Sequence, residues 1–240
     1  VAIYLPELSE HDVSFPKLSL ALTQPDGLLA MGGDLSPSRL LSAYSQAIFP
    51  WFSEGDPILW WSPSVRAVFA PDTLKLNRTL KKQIKRYQLR FSVNRSFAEI
   101  MQQCAAPRAK QPETWILPQM QQAYLQLHKK GYAHSIEVWQ QEKLVGGLYG
   151  VLIGSLFCGE SMFNRLPDTA KLALVLLQQH MQQAAPGWID CQLPNPFLLQ
   201  LGATELVRDD YVMLLQQYGQ QAMPSSHWQS REIFLDYGHD

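Results

Sequence analysis

Two carboxylates stand in stretches of chain that are otherwise apolar. Glu160 lies in Phe157-Cys158-Gly159-Glu160-Ser161-Met162-Phe163, and Asp190 in Trp188-Ile189-Asp190-Cys191-Gln192. An ionised carboxylate is costly to bury unless it is paired or hydrogen-bonded, so an acid inside an apolar strand needs a reason. The structural reason is a satisfied acid that ties down a loop or a helix end. The chemical reason is a base, or a group that binds an amine, and two such acids near one sheet favour it. If residues 188–193 form a strand, Asp190 and Gln192 are i and i+2 and share one face, opposite Ile189 and Cys191.

Two further groups of side chains have chemistry to offer. Ile48-Phe49-Pro50-Trp51-Phe52 and Ile58-Leu59-Trp60-Trp61-Ser62-Pro63 flank a Ser-Glu-Gly-Asp-Pro turn, and such an aromatic cluster is either core or a set of flat surfaces for stacking. Between Asp72 and Glu99 every charge is positive: Lys75, Arg78, Lys81, Lys82, Lys85, Arg86, Arg90 and Arg95. Positions 78, 81, 82 and 85 follow the i, i+3, i+4, i+7 spacing of one helix face. Concentrated like charge repels itself and points toward an anionic partner such as phosphate. The formal net charge is only −1, so any nucleic-acid surface must be a local patch.

Other chemistries lack their residues. The three cysteines, Cys104, Cys158 and Cys191, have no CxxC spacing and read as core or near-core thiols. The six histidines show no paired-ligand spacing, so no metal is expected. Gly159-Glu160-Ser161-Met162-Phe163 is not a nucleophile elbow. Gly146-Gly147-Leu148-Tyr149-Gly150 is neither a Walker loop nor a dinucleotide fingerprint, and inside a strand it marks close approach by a neighbour or ligand. Residues 1–10 lack the pattern of a secretory signal, and no apolar run nears the ~20 residues needed to span a bilayer. A cytoplasmic protein that needs no cofactor is expected.

The elements that must position these residues are legible in part. At 240 residues, 46% hydrophobic and 17% charged, the chain has ample core for one large domain, or one ordinary domain with a small annex. Ser36 followed by Pro37 reads as an N-cap and first helical position, opening a short helix to about residue 46. Residues 118–130 read as a helix closed by Gly131. Residues 134–139, 144–153 and 156–163 alternate as an antiparallel meander. Helices at 169–183 and 208–220 bracket a buried strand at 188–193. Helices on a mostly antiparallel sheet make the fold class α+β.

Taken in order over nearly the whole chain, several strings resemble the bacterial leucyl/phenylalanyl-tRNA–protein transferases. They are Pro25-Asp-Gly-Leu-Leu-Ala-Met-Gly-Gly-Asp-Leu-Ser-Pro37, Ile48-Phe-Pro-Trp-Phe52, Ile58-Leu-Trp-Trp-Ser-Pro63, His134-Ser-Ile-Glu-Val-Trp139, Leu156-Phe-Cys-Gly-Glu-Ser-Met-Phe163 and Ile189-Asp-Cys-Gln192. The resemblance implies a small N-terminal domain, residues 1–64, and a GNAT-like aminoacyl-transfer domain, residues 65–240. It implies transfer of Leu or Phe, less readily Met, from aminoacyl-tRNA to proteins bearing N-terminal Arg or Lys, which marks them for degradation. By matched position, Trp51 and Trp115 hold the terminal adenosine, a task suited to π-faces. Leu148, Phe157, Leu177 and Ile189 line the pocket for the donor side chain. Asp190, Gln192 and Glu160 form the catalytic group, and Tyr44 and Tyr124 support the tRNA end or the peptide. The basic face of Arg78, Lys81, Lys82, Lys85 and Arg86 is the expected tRNA contact. Three positions depart from the family pattern: Ala47 stands for a common glycine, Leu177 for a phenylalanine of some relatives, and Phe197 for a frequent histidine.

Within that reading Asp190 is either the base for the attacking amine or a positioning group, and the sequence leaves both open. Two rivals are weaker. An acetyl-CoA-dependent acetyltransferase wants a glycine-containing turn at a helix start to cradle pyrophosphate, and residues 164–171 contain no glycine. A plain RNA-binding module leaves Glu160 and Asp190 unexplained.

Overall fold

The structure, a computed structural model, describes residues 4–107 and 114–237. The N-terminal part contributes β1 (Glu7–Leu8), β2 (Leu28–Gly32), α1 (Pro37–Tyr44), β3 (Phe49–Pro50) and β4 (Leu59–Trp61). Its sheet has the order β1-β2-β4-β3, parallel only between β1 and β2. Helix α1 starts where Ser36 and Pro37 place it, with the Ser36 hydroxyl accepting from the Arg39 amide, which supplies one of the orphan first-turn donors with a partner.

The rest of the chain runs β5 (Val65–Phe69), α2 (Arg78–Tyr87), β6 (Leu89–Val93), α3 (Phe97–Ala105), α4 (Pro118–Lys129), β7 (Ala133–Gln140), β8 (Lys143–Ile153), β9 (Leu156–Asn164), α5 (Thr169–Gln182), β10 (Trp188–Asp190), α6 (Pro196–Gln200), β11 (Thr204–Val207), α7 (Arg208–Tyr218) and β12 (Arg231–Ile233). Eight strands form one sheet in the order β11-β5-β10-β9-β8-β7-β6-β12. Neighbours are antiparallel except β10 and β9. The meander, the basic helix, the 118–130 helix and the α+β layout follow the sequence pattern. Strands β5, β6, β11 and β12 and helices α3 and α6 were not anticipated. None of the helices is long and apolar enough to cross a membrane among the described residues.

Each face of the large sheet carries its own core. On one face α3, α4 and the N-terminal part close over the strands, and Leu29, Leu40, Tyr44, Ile100, Met120, Tyr124 and Tyr149 share one continuous cluster. On the other face α2 and α5 pack down through Leu80, Ile84, Leu172 and Leu176 onto Val138, Leu148 and Phe157. The glycines of β8 are explained by neighbours. A β-carbon at Gly147 would strike Ile100 and the Ile136 carbonyl, and one at Gly150 would strike the Phe157 ring.

Two irregularities shape the centre of the sheet. Tyr149 pairs with Ser161 and Gly150 with Gly159, so Glu160 is the extra residue of a β-bulge. The bulge reverses the side-chain alternation: Phe157 and Met162 pack on the α5 face, whereas Leu156, Cys158 and Phe163 pack on the α4 face. The strand expected over 188–193 is the second. It stops at Asp190, because the chain turns left-handed at Gln192, φ 62°. Asp190 and Gln192 are therefore not successive outward residues of one strand. From Gly159 onward β9 has lost its β10 neighbour, and the sheet opens there.

Candidate active site

The opening beside β9 holds a cavity of about 230 Å³. Its walls are mostly apolar: Leu148, Phe157, Leu174, Leu177, Ile189 and Leu198, with Glu160, Ser161 and Asn195 adding polar atoms. All four residues matched to a side-chain pocket, Leu148, Phe157, Leu177 and Ile189, border this one space. It is smaller than the roughly 300–1,000 Å³ of sites for whole drug-sized ligands, and so suits one bulky side chain.

Glu160 is buried, 7% exposed, and three side chains hold its carboxylate. The Tyr44 hydroxyl donates to Oε1 at 2.7 Å, the Tyr124 hydroxyl to Oε2 at 2.7 Å, and the Gln192 amide Nε2 to Oε1 at 2.9 Å. The two phenols are themselves 2.6 Å apart. Burial pushes the Glu160 carboxyl up to about 7, against the pull of both tyrosine hydrogen bonds. Burial and the nearby Glu160 charge raise both phenols, which stay protonated donors. Tyr44 and Tyr124 thus meet on the carboxylate from α1 and α4.

Asp190 is fully buried and fully engaged. Its Oδ1 accepts from Arg66 Nε at 3.2 Å and from the Gln192 backbone amide at 2.8 Å. Its Oδ2 accepts from Arg66 Nη2 and from the Tyr211 hydroxyl at 2.9 Å. Four donors occupy the roughly four lone-pair positions of a carboxylate. Burial alone would lower the Arg66 guanidinium, but the Asp190 charge overrides it and holds the group above its ordinary range. The guanidinium lies over two rings, 4.8 Å from the Phe49 centroid and 4.5 Å from that of Tyr211. Asp190, Gln192 and Glu160 are therefore linked in one chain of hydrogen bonds, with Gln192 in the middle and its amide nitrogen committed to Glu160.

Trp51 and Trp115 face a different space, an open cavity of about 820 Å³ shared with Glu54, Thr114, Pro118 and Gln121. Trp51 is 44% exposed and tilts against Trp61. No described cavity contains both tryptophans and Glu160, yet the same elements carry them. Trp51 follows α1, which ends in Tyr44, and Trp115 precedes α4, which carries Tyr124. The basic helix α2 buries Leu80 and Ile84 and exposes Arg78, Lys82, Lys85 and Arg86, with Lys81 half-buried. Among the described residues none of those four exposed cations is ion-paired to an acid.

Sequence reasoning missed Arg66 and Tyr211. Arg66, in Val65-Arg-Ala-Val-Phe69, carries the same signal that marked Asp190, a charge amid apolar strand residues. Tyr211 carried no such signal. A third buried acid, Glu137, was also passed over. It accepts from Ser92, Ser135 and the amides of Arg95 and Ser96 at the start of α3, which is a structural tie away from the cavity.

Comparison with known proteins gives a concordant result. Residues 68–216 match the family model described as leucyl/phenylalanyl-tRNA protein transferase, and residues 33–64 the model of its N-terminal domain. A leucyl/phenylalanyl-tRNA–protein transferase of Shewanella sediminis is 51% identical over 92% of this chain and 94% of its own. One from Psychromonas ingrahamii is 48% identical over 98% and 99%. Among solved structures, FemX aligns over 75% of this chain and 71% of its own, at 11% identity and TM-score 0.41.

Two outcomes follow from the buried acids. Asp190→Asn leaves Arg66 as an uncompensated buried charge and should cost about 3–5 kcal/mol of stability in denaturant titration, whereas joint replacement of Arg66 and Asp190 by apolar residues should cost less than the sum of the single changes. Glu160 titrates higher in the fold than its ordinary 4.5. Its contribution to stability is therefore complete at low pH and lost as pH rises through about 7. Melting temperatures of Glu160→Gln should gain on the parent between about pH 5 and about pH 8; a difference that ignores pH would mean the carboxyl titrates in its ordinary range.

Proposed function

The chain belongs to the leucyl/phenylalanyl-tRNA–protein transferase family, and from that membership we propose how its cavity and acids carry out the transfer. The activity is movement of Leu or Phe from aminoacyl-tRNA to an acceptor protein. In this reading residues 1–64 act as the N-terminal domain that supplies Tyr44 and Trp51, and residues 65–240 as the aminoacyl-transfer domain. The apolar cavity receives the donor's Leu or Phe side chain, and Met less readily. A hydrophobic pocket separates side chains differing by one methylene by only about 1–3 kcal/mol, so overlapping donors are expected. The tryptophan-lined space takes the terminal adenosine of the donor by stacking.

The observation that carries the proposal is a buried carboxyl, held by Tyr44, Tyr124 and Gln192, on the wall of an apolar pocket. An α-amino group has a reference pKa of about 7.7–8.0 and must shed a proton before it attacks. Glu160, titrating at about 7, draws the cationic N-terminal Arg or Lys of the acceptor and is matched to receive that proton. Gln192 gives its amide nitrogen to Glu160, which leaves its amide oxygen to accept from the incoming amine. The C–N bond forms as the ester C–O bond breaks, and the proton ends on the departing ribose oxygen. The donor is an activated ester, so no nucleotide hydrolysis is required. Of the two roles open to Asp190, the positioning role is favoured: with four donors on its oxygens it fixes the turn that presents Gln192. The α2 face holds tRNA phosphates, and the site of action is cytoplasmic, where charged tRNA and its acceptors occur.

Incubation with radiolabelled Leu-tRNA and a peptide beginning with Arg should label the peptide. Glu160→Gln should lower kcat/KM by about 10²-fold or more and remove the inflection near pH 7 from the rate profile; undiminished transfer would take Glu160 out of the reaction. Replacing Arg78, Lys82 and Arg86 with Glu should weaken tRNA binding and reduce the slope of log affinity against log salt by about two to three. An unchanged slope would leave α2 as solvated surface.

A further inference from the structure

Two aromatic rings separate the apolar cavity from a second cavity of about 300 Å³. Phe157 lines the first, and Trp228, from the turn Ser225–Trp228 ahead of β12, lines the second with His134, Asn94 and Leu152. The two rings are stacked, with centroids 6.0 Å apart and planes 19° from parallel. The Phe157 ring also lies over Gly150, which has no side chain to push it away. Trp228 is itself braced. It stacks on His134 at 4.3 Å, meets the His180 edge at 4.9 Å, and its carbonyl accepts from Asn94 Nδ2 at 2.6 Å. It is 5% exposed.

We propose that Trp228 is a specificity-setting positioning residue for the donor amino acid. It does not line the apolar cavity; it acts by holding Phe157 forward, and so fixes how deep the pocket is. This rests on the reading of that cavity as the donor side-chain pocket. The geometry supplies both halves of the argument. Phe157 cannot move toward Gly150 without meeting backbone, because the Cys158 carbonyl stands there as well. Toward Trp228 the indole blocks its retreat, and the indole itself borders the second cavity. A smaller residue at 228 joins that space to the gap left by the indole, lets the Phe157 ring fall back, and lengthens the pocket. Trp228 lies beyond residues 68–216, the stretch matched by the family model, whereas the residues that line the pocket lie within it.

The test uses the full chain with Leu and Phe charged donors, measuring kcat/KM for each with one acceptor peptide. The ratio of the two constants is the readout, because a loss of folded enzyme scales both donors alike and leaves it unmoved. Trp228→Leu should raise the Phe:Leu ratio by about five-fold or more, given that single methylenes shift such ratios by tenfold or more. Trp228→Phe keeps a stacked ring and should stay within about twofold of the parent. Leu177→Phe, which shrinks the cavity directly, is run beside them and should lower the ratio. A Trp228→Leu ratio equal to the parent's, with Leu177→Phe effective, overturns the role of Trp228 alone. If Leu177→Phe also leaves the ratio unchanged, the cavity is not the donor pocket and the reading beneath the inference falls with it.

Discussion

The contact on which the rest of the site depends is the buried ion pair between Arg66 and Asp190. It joins β5 to β10, neighbours in the sheet, and it also does what the backbone ladder cannot. Asp190 is the last residue of its strand, and its carboxylate takes the amide of Gln192 two residues on, so the chain bends away at a defined place. Arg66 in turn lies over Phe49 from the N-terminal part and Tyr211 from α7. A charge taken out of water needs partners, and those of Arg66 come from three other stretches of chain. The price of burial is met by geometry, and the geometry is what orients Gln192.

Glu160 depends on a second kind of order. A bulge places one extra residue in β9 where β10 has already ended, so the carboxylate lies at a gap in the sheet rather than in a regular ladder. Bulges re-aim side chains in this way. Tyr44 and Tyr124 then fix both oxygens. The two carboxylates of the site therefore differ in kind. One faces a permanent cation and is saturated with donors. The other faces neutral phenols and an amide, exchanges its proton near neutrality, and borders the cavity.

Much of this was legible in the sequence where the signal was local. The meander of β7, β8 and β9 shows as alternation, α1 and α4 as capped helices, and α2 as a one-sided basic face. The two apolar-strand acids stood out because burial makes such residues expensive. What was not legible is non-local or left-handed. Strand β10 reads as though it continued to Leu193, because composition does not announce the positive φ at Gln192. Short strands such as β11 and β12 draw their pairing from partners far along the chain. Arg66 offered the same clue as Asp190, but its partner lies 124 positions away. The tyrosine pair on Glu160 depends on how α1 and α4 pack, which no spacing within either helix reveals.

The distance in sequence between Tyr44 and Glu160, 116 positions, has a consequence for the protein while it is being made. The phenol that anchors the carboxylate is synthesised long before the carboxylate exists, and the arginine that steadies Asp190 waits longer still. Closing loops of that size is slow next to forming a helix or a hairpin. A nascent chain therefore carries scattered parts and no working centre, even though ribosomes are surrounded by charged tRNA. The site is complete only once β10 and the turn after it have been made and have met β5, α1 and α4.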